Sequence, residues 1–189
     1  MLHRPRTVAL LLAIAASGSG CGRPAPSRPS AATVRAVEAA EDAERRRDHH
    51  AARARYQAAI AGAPDASSER FARRELADAL LSWGELAAAE RELTRVAALA
   101  PAEPAGWHDL GIVRANLGDE AGADQALARA RALAPGDPRP RVALAALRWR
   151  RGDRAAARRE YQELLQLDLP PGLRRKVEWA LSQLAPPGG

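Results

Sequence analysis

The chain has 189 residues, of which 47% are hydrophobic, only 4% aromatic and 28% charged, and its formal net charge at pH 7 is +6. The apolar residues are mostly Ala and Leu in periodic stretches, which excludes wholesale disorder, favours helices and argues against a polytopic membrane protein. A single Cys cannot form an intramolecular disulfide, and four scattered His do not suggest a structural zinc site.

The positive charge lies in the C-terminal third, where eleven Arg or Lys and five Asp or Glu follow from Arg139 onward. These cations alternate with Ala and Leu, without aromatic stacking platforms or a nucleic-acid motif. The pattern therefore favours a solvated Arg face on amphipathic helices over nucleic-acid binding.

The first twenty residues have the anatomy of a secretory signal peptide. Arg4 and Arg6 make a positive start, an apolar run covers residues 7–16, and small residues lead into Cys21. Ten apolar residues are about half of the ~20 that cross a bilayer as a helix. We therefore expect residues 1–20 to be removed.

The small residues before Cys21 resemble the lipobox of bacterial lipoproteins, in which this Cys is lipidated and becomes the mature N-terminus. The resemblance implies that Cys21 is a lipid anchor and, because Gly22 rather than Asp follows it, that the membrane is the outer one. Gly18 departs from the pattern, since the family usually has Leu or another aliphatic residue there. The alternative is ordinary signal-peptide cleavage within residues 16–20, which leaves an exported protein with a free thiol.

Residues 21–32 are predicted to form the anchor and a flexible tether. Three Pro and two Ser stand among residues 22–32, a composition that neither continues a helix nor buries a core. Such a spacer would hold a folded domain away from a membrane surface.

A period of about 34 residues governs the rest of the chain, and a slightly longer shift recovers one earlier copy. The period relates three sets of residues: Leu76, Leu110 and Leu144; Gly84, Gly118 and Gly152; Ala89, Ala123 and Ala157. It predicts four units and a closing helix. The units cover residues 33–69, 70–103, 104–137 and 138–171, the closing helix covers 172–185, and a tail covers 186–189.

Each unit divides into two helices at a turn of Gly and an acidic residue. The Gly is expected to provide a left-handed cap for the first helix, and the acidic residue to cap the second. Small residues such as Gly111 and Ala123 are expected to allow two helix backbones to approach closely.

The third unit resembles a tetratricopeptide repeat in its W-x2-L-G, A-x3-F and P pattern. Leu stands in the place of the usual Phe, and Arg114 in the place of the usual Tyr. The matching residues are Trp107, Leu110, Gly111, Ala123, Leu127 and Pro135. Over residues 33–185 the resemblance implies an all-α, right-handed superhelical solenoid of four helix-turn-helix repeats plus a C-terminal capping helix. The first helix of each unit would line its concave face.

The resemblance implies binding rather than catalysis, and helix geometry indicates the surface. A stripe beside the packed stripe of each first helix should face the groove. Its predicted partner-binding residues are Phe71, Arg74, Asp78, His108, Ile112, Asn116, Arg139, Val142, Trp149 and Arg150. Trp149 either anchors a peptide or packs under the closing helix. Trp107 is assigned to the core, and Trp83 and Trp179 to packing.

No nucleophile with a base, phosphate loop or metal cluster stands out. The sequence therefore predicts a non-enzymatic protein with no cofactor, no metal site, no small-molecule substrate and no nucleic-acid partner. We expect an adaptor at the periplasmic face of the bacterial envelope, which binds a protein or peptide through its concave groove. The alternative is a structural accessory for assembly of a secretion, pilus or outer-membrane machine, acting through its convex face.

Overall fold

The computed structural model describes residues 28–184. The signal peptide, Cys21 and most of the tether lie outside this range, as do residues 185–189, so the assignments made for them stay predictions. The described residues form α-helices and no strand. The helices are α1 (Ala31–Arg45), α2 (His49–Ala61), α3 (Ala66–Ser82), α4 (Leu86–Leu99), α5 (Pro104–Leu117), α6 (Glu120–Leu133), α7 (Pro138–Arg150), α8 (Arg154–Leu164) and α9 (Pro171–Gln183). Within residues 28–184, no helix is long and apolar enough to cross a membrane.

The turn between the two helices of each unit contains one residue in the left-handed region of φ. Gly84, Gly118 and Gly152 have φ angles of 80°, 84° and 82°, which confirms the predicted caps. The first unit makes the same turn without glycine, because Arg47 adopts a φ of 62°. A side chain in this region is strained, so the first turn is the least favourable of the four.

The acidic residue after each turn caps the second helix where it is Asp. The side chains of Asp48, Asp119 and Asp153 each accept a hydrogen bond from the backbone N–H three residues further on, at 2.9 to 3.0 Å. Glu85 makes no such bond and instead pairs with Arg53. The capping prediction is therefore confirmed for the aspartates. It is wrong for Glu85, because its carboxylate forms an ion pair with Arg53 of the first unit.

Every helix packs against its neighbours along the chain, and first helices also contact one another, as α1 does with α3 and α5 with α7. Contacts confined to adjacent units are typical of a solenoid. The architecture is a right-handed superhelix of four helix-turn-helix repeats, closed by α9.

Small residues bring the two helices of a unit together. A Cβ atom added to Gly111 would lie 2.6 Å from Cγ of Leu127, which is fully buried on α6. Ala77 and Ala145, which precede and follow Gly111 by one period, have no exposed surface. The predicted close approach of α5 and α6 is confirmed.

Helix α9 covers the apolar end of the array. Val177, Ala180 and Leu184 are buried against a cluster that includes Tyr161 and Leu164 of α8. The start of α9 follows the start of α7 by one position less than the full period, so Glu178 takes the place that Gly111 and Ala145 occupy in complete units. A charged residue such as Glu178 is tolerated at this position because, within residues 28–184, no second helix packs against α9 there.

Candidate functional site

The groove is defined here as the side of α1, α3, α5, α7 and α9 that carries the ten predicted binding residues, which lie on α3, α5 and α7. Six of them are exposed: Arg74, Asp78, Ile112, Asn116, Arg139 and Arg150. The other four are half-buried: Phe71, His108, Val142 and Trp149. None of the ten is withdrawn into the core, so each is accessible to a partner.

The N-terminal half of the groove is acidic. Glu41, Glu44, Glu75 and Asp78 line an open recess of about 400 Å³ between α1 and α3, together with Arg45, Tyr56 and Ala79. Partial burial raises the pKa of Glu75, and the negative charges of Asp78 and Glu41 raise it further. The pKa of Asp78 is also raised, chiefly because the surrounding recess partly desolvates a carboxylate that is still exposed. Ionised carboxylates therefore repel one another in this acidic recess.

Ion pairs fix several predicted groove residues in the middle of the array. Arg74 donates from Nη2 to Oδ2 of Asp109, 2.8 Å away, and so connects α3 to α5. His108 Nδ1 lies 3.2 Å from the other carboxylate oxygen of Asp109. Arg139 binds the carboxylate of Asp137 with Nε and Nη2, which lowers the pKa of Asp137. Arg74 and Arg139 are therefore already partly neutralised.

A small cavity of about 170 Å³ lies where α3, α4 and α5 meet. It is lined by Pro29, Ser67, Arg70, Phe71, Arg74, Val96, Ala100, Glu103, Ala105 and Gly106. The backbone N–H of Ser30 donates to Oγ of Ser68 at 3.0 Å, which fixes the start of the described chain beside this cavity. The tether therefore joins the domain next to Phe71, at the edge of the groove.

Two tryptophans meet at the C-terminal end of the groove. The ring of Trp149 on α7 lies 6.1 Å from that of Trp179 on α9, at an interplanar angle of 47°. Trp149 contacts the closing helix, yet it is only half-buried. Trp179 is 62% exposed. The packing role assigned to Trp179 is therefore wrong, because α9 buries Val177 and Ala180 on either side of it and turns Trp179 outward.

The register of α9 explains this placement. Asp78, Ile112 and Ala146 occupy equivalent positions one full period apart. The step from α7 to α9 is one position shorter than the period, so the equivalent residue on α9 is Trp179. The same shorter step places Arg175 after Val142 in the series. Aligning the Pro residues that begin α7 and α9 would have identified Trp179 as a groove residue from the sequence.

The other two tryptophans have structural roles. Trp107 packs beside the buried cluster around Leu110, and its Nε1 donates to the carbonyl of Pro101 at 3.1 Å. Trp83 stacks on His49 with ring centroids 4.6 Å apart, outside the groove. Among residues 28–184, no group of three or more His, Cys, Asp and Glu side chains is arranged to hold a metal ion.

Solved structures with the same helical arrangement are tetratricopeptide repeat proteins. A TPR protein from Parabacteroides merdae has a TM-score of 0.65 and 15% identity, with 80% of this chain and 57% of that chain covered. TTC0263, a thermophilic TPR protein of Thermus thermophilus, has a TM-score of 0.57 and 18% identity, with 80% of each chain covered. The chain has a TPR-like fold.

The MamA protein is a further structural neighbour of this TPR-like solenoid. Its crystal structure has a TM-score of 0.67 and 17% identity, and the alignment covers 80% of each chain. Identities this low establish the fold alone. No protein-family model matches the sequence, and a comparison with curated proteins finds no relative.

Proposed function

We propose that this TPR-like protein is a non-enzymatic adaptor of the bacterial cell envelope that binds a protein or peptide partner through its groove. The observation that carries the proposal is the exposed Trp179 beside Trp149, in a groove whose opposite end is acidic. Aromatic side chains are frequent anchors in protein interfaces, and an exposed tryptophan in contact with a half-buried one provides such an anchor.

The proposal includes export and a lipid anchor at Cys21, at the periplasmic face and in the outer membrane. It is supported by the signal-like N-terminus and the lipobox-like residues before Cys21. The tether would then join a membrane anchor to the edge of the groove beside Phe71.

Replacing Cys21 by Ser tests the anchor. We expect the parent protein to stay in the membrane fraction after a carbonate wash and the variant to be released, since a tether without lipid has little affinity for a bilayer. Retention of the variant in the membrane would refute lipid anchoring, and so would release of the parent.

Crosslinked co-purification from detergent-solubilised envelopes tests the groove. The groove variant combines Asp78→Ala and Ile112→Asp, both at exposed positions on first helices. The control combines Arg91→Ala and Arg159→Ala, at exposed positions on second helices. We expect the parent and the control to retain one partner that the folded groove variant loses.

The same experiment decides between the adaptor and the structural accessory for envelope assembly. Arg91, Arg158 and Arg159 are exposed on second helices and lack a hydrogen-bonded or ionic partner among residues 28–184, which favours the accessory as a second candidate. If the control loses the partners that the groove variant retains, the convex face is the interface and the accessory function replaces the adaptor.

A further inference from the structure

The tryptophan face, defined by Val142, Trp149, Arg175, Lys176 and Trp179, is a partly apolar surface with nothing packed over it in the described chain. Trp149 and Val142 are half-buried against the C-terminal hydrophobic cluster, and Trp179, whose ring lies 6.1 Å from that of Trp149, is 62% exposed. Tilted aromatic rings 6.1 Å apart leave edges and faces for a third apolar group. An apolar side chain of a partner can therefore pack against the exposed ring of Trp179.

Unpaired cations border the exposed ring. Arg175 and Lys176 precede Trp179 by four and three residues, so all three project from the same side of α9. Neither cation has an ion-pair partner within residues 28–184, whereas Arg148 pairs with Glu160 and Arg151 with Glu120. The free charges of Arg175 and Lys176 match a partner that carries carboxylates.

The opposite end of the groove restricts the type of partner. Glu41, Glu75 and Asp78 would repel an acidic segment from the acidic recess, which leaves the tryptophan face as its place in the groove. A flat anionic bilayer would meet the same carboxylates on the same side of the solenoid. A chain segment is narrow enough to contact the cations alone, so the charge distribution favours a peptide over a membrane.

We infer that the tryptophan face binds an acidic segment of a protein partner, with one apolar side chain against Trp149 and Trp179 and carboxylates on Arg175 and Lys176. The inference rests on the proposed function, since it specifies the chemistry of the segment that the groove captures.

Fluorescence anisotropy with short labelled peptides tests the inference on the purified full-length protein in detergent. The first peptide has glutamates on both sides of one leucine, the second has lysines in place of the glutamates, and the third has serine in place of the leucine. We expect the first to bind, more weakly as salt is raised, and the other two to bind much more weakly.

Two variants address the two halves of the face. Trp179→Ala should weaken binding of the glutamate peptide by about tenfold or more, as expected for an aromatic anchor. Arg175→Glu combined with Lys176→Glu should weaken it at least as much and reverse its salt dependence, because the new carboxylates repel the glutamates and salt screens that repulsion. The matched control, Arg91→Glu with Arg159→Glu, reverses two exposed charges on second helices and should bind like the parent.

Three results would overturn the inference. They are failure of the glutamate peptide to bind the parent, equal binding by the Trp179→Ala variant, and Trp179-dependent binding to vesicles of anionic phospholipid without binding to the peptide. The proposed function is judged separately, because the co-purification variant with Asp78→Ala and Ile112→Asp leaves α7 and α9 intact. Loss of a partner from that variant would support the groove even if the tryptophan face bound no acidic peptide.

Discussion

The contact between Gly111 and Leu127 permits a quantitative test of the packing between α5 and α6. A Cβ at position 111 would lie 2.6 Å from Cγ of Leu127, 2.9 Å from its Cδ2 and 3.2 Å from its backbone nitrogen. Leu127 has no exposed surface, so it cannot swing away without moving its neighbours. Overpacking of this kind costs about 1 to 3 kcal/mol. Ala recovers about 1 kcal/mol of that through its helix propensity.

We therefore expect Gly111→Ala to lower the free energy of unfolding by about 0 to 2 kcal/mol, and Gly111→Leu by more, since its longer side chain needs more room. Urea melts of the full chain, followed by circular dichroism, measure the change. Gly172→Ala in the first turn of α9 is the control, because nothing lies within 4 Å of a Cβ built there. We expect this control to be neutral or stabilising.

The same contact predicts that the effect of Gly111→Ala depends on Leu127. Leu127→Ala alone removes the obstructing atoms and should cost about 2 to 5 kcal/mol, as for other buried Leu to Ala changes. In that background Gly111→Ala should be less destabilising than in the parent, or stabilising. If Gly111→Ala has the same effect in both backgrounds, the side chain of Leu127 does not limit the approach of the helices.

Two further predictions concern the first repeats. Arg47→Gly should raise the free energy of unfolding by about 0.5 to 1 kcal/mol in urea melts, because relief of the left-handed strain exceeds the added entropy of an unfolded glycine. No stabilisation would mean that the left-handed φ of Arg47 is not strained. Glu75→Gln should raise the melting temperature at pH above the pKa of Glu75, because partial burial and then the charges of Asp78 and Glu41 disfavour the ionised carboxylate. Since the pKa of Glu75 is raised in the folded state, its ionisation destabilises the fold as pH increases through that pKa. The advantage of Glu75→Gln should therefore shrink as pH falls to the range where Glu75 is protonated, and a constant advantage would contradict the electrostatic cause.

The fold could be predicted because packing repeats with the period. Gly111 and Leu110 occupy positions where the neighbouring helix sets the size of the side chain, and the corresponding residues in other units have similar sizes. Local backbone geometry explains the glycine turns in the same way. The first turn shows the limit, since Arg47 occupies a left-handed position that the residue type does not reveal.

The candidate site was less predictable because groove positions are free of packing constraints. The periodic stripe identified residues that the structure leaves accessible, but not which of them are neutralised. Arg139 is held by Asp137 and Arg74 by Asp109 through contacts that depend on side-chain conformation. Trp179 was missed for a different reason: the step to α9 is one position shorter than the period of the repeats, so extending that period fails to align Trp179 with the groove.

The division of labour within each first helix explains how one repeat array can carry a specific surface. Leu, Ala and Gly on the packed side satisfy the contacts between helices, so residues on the groove side can vary without loss of the fold. In this chain they include the carboxylates of the recess on α1 and α3 and, on α9, Trp179 with two cations that are unpaired within residues 28–184. Folding alone does not require this distribution, and partial burial disfavours the ionised forms of Glu75 and Asp78, with repulsion from nearby carboxylates adding to the effect. The proposed adaptor function would account for an arrangement that reduces stability and exposes a tryptophan, since packing favours neither.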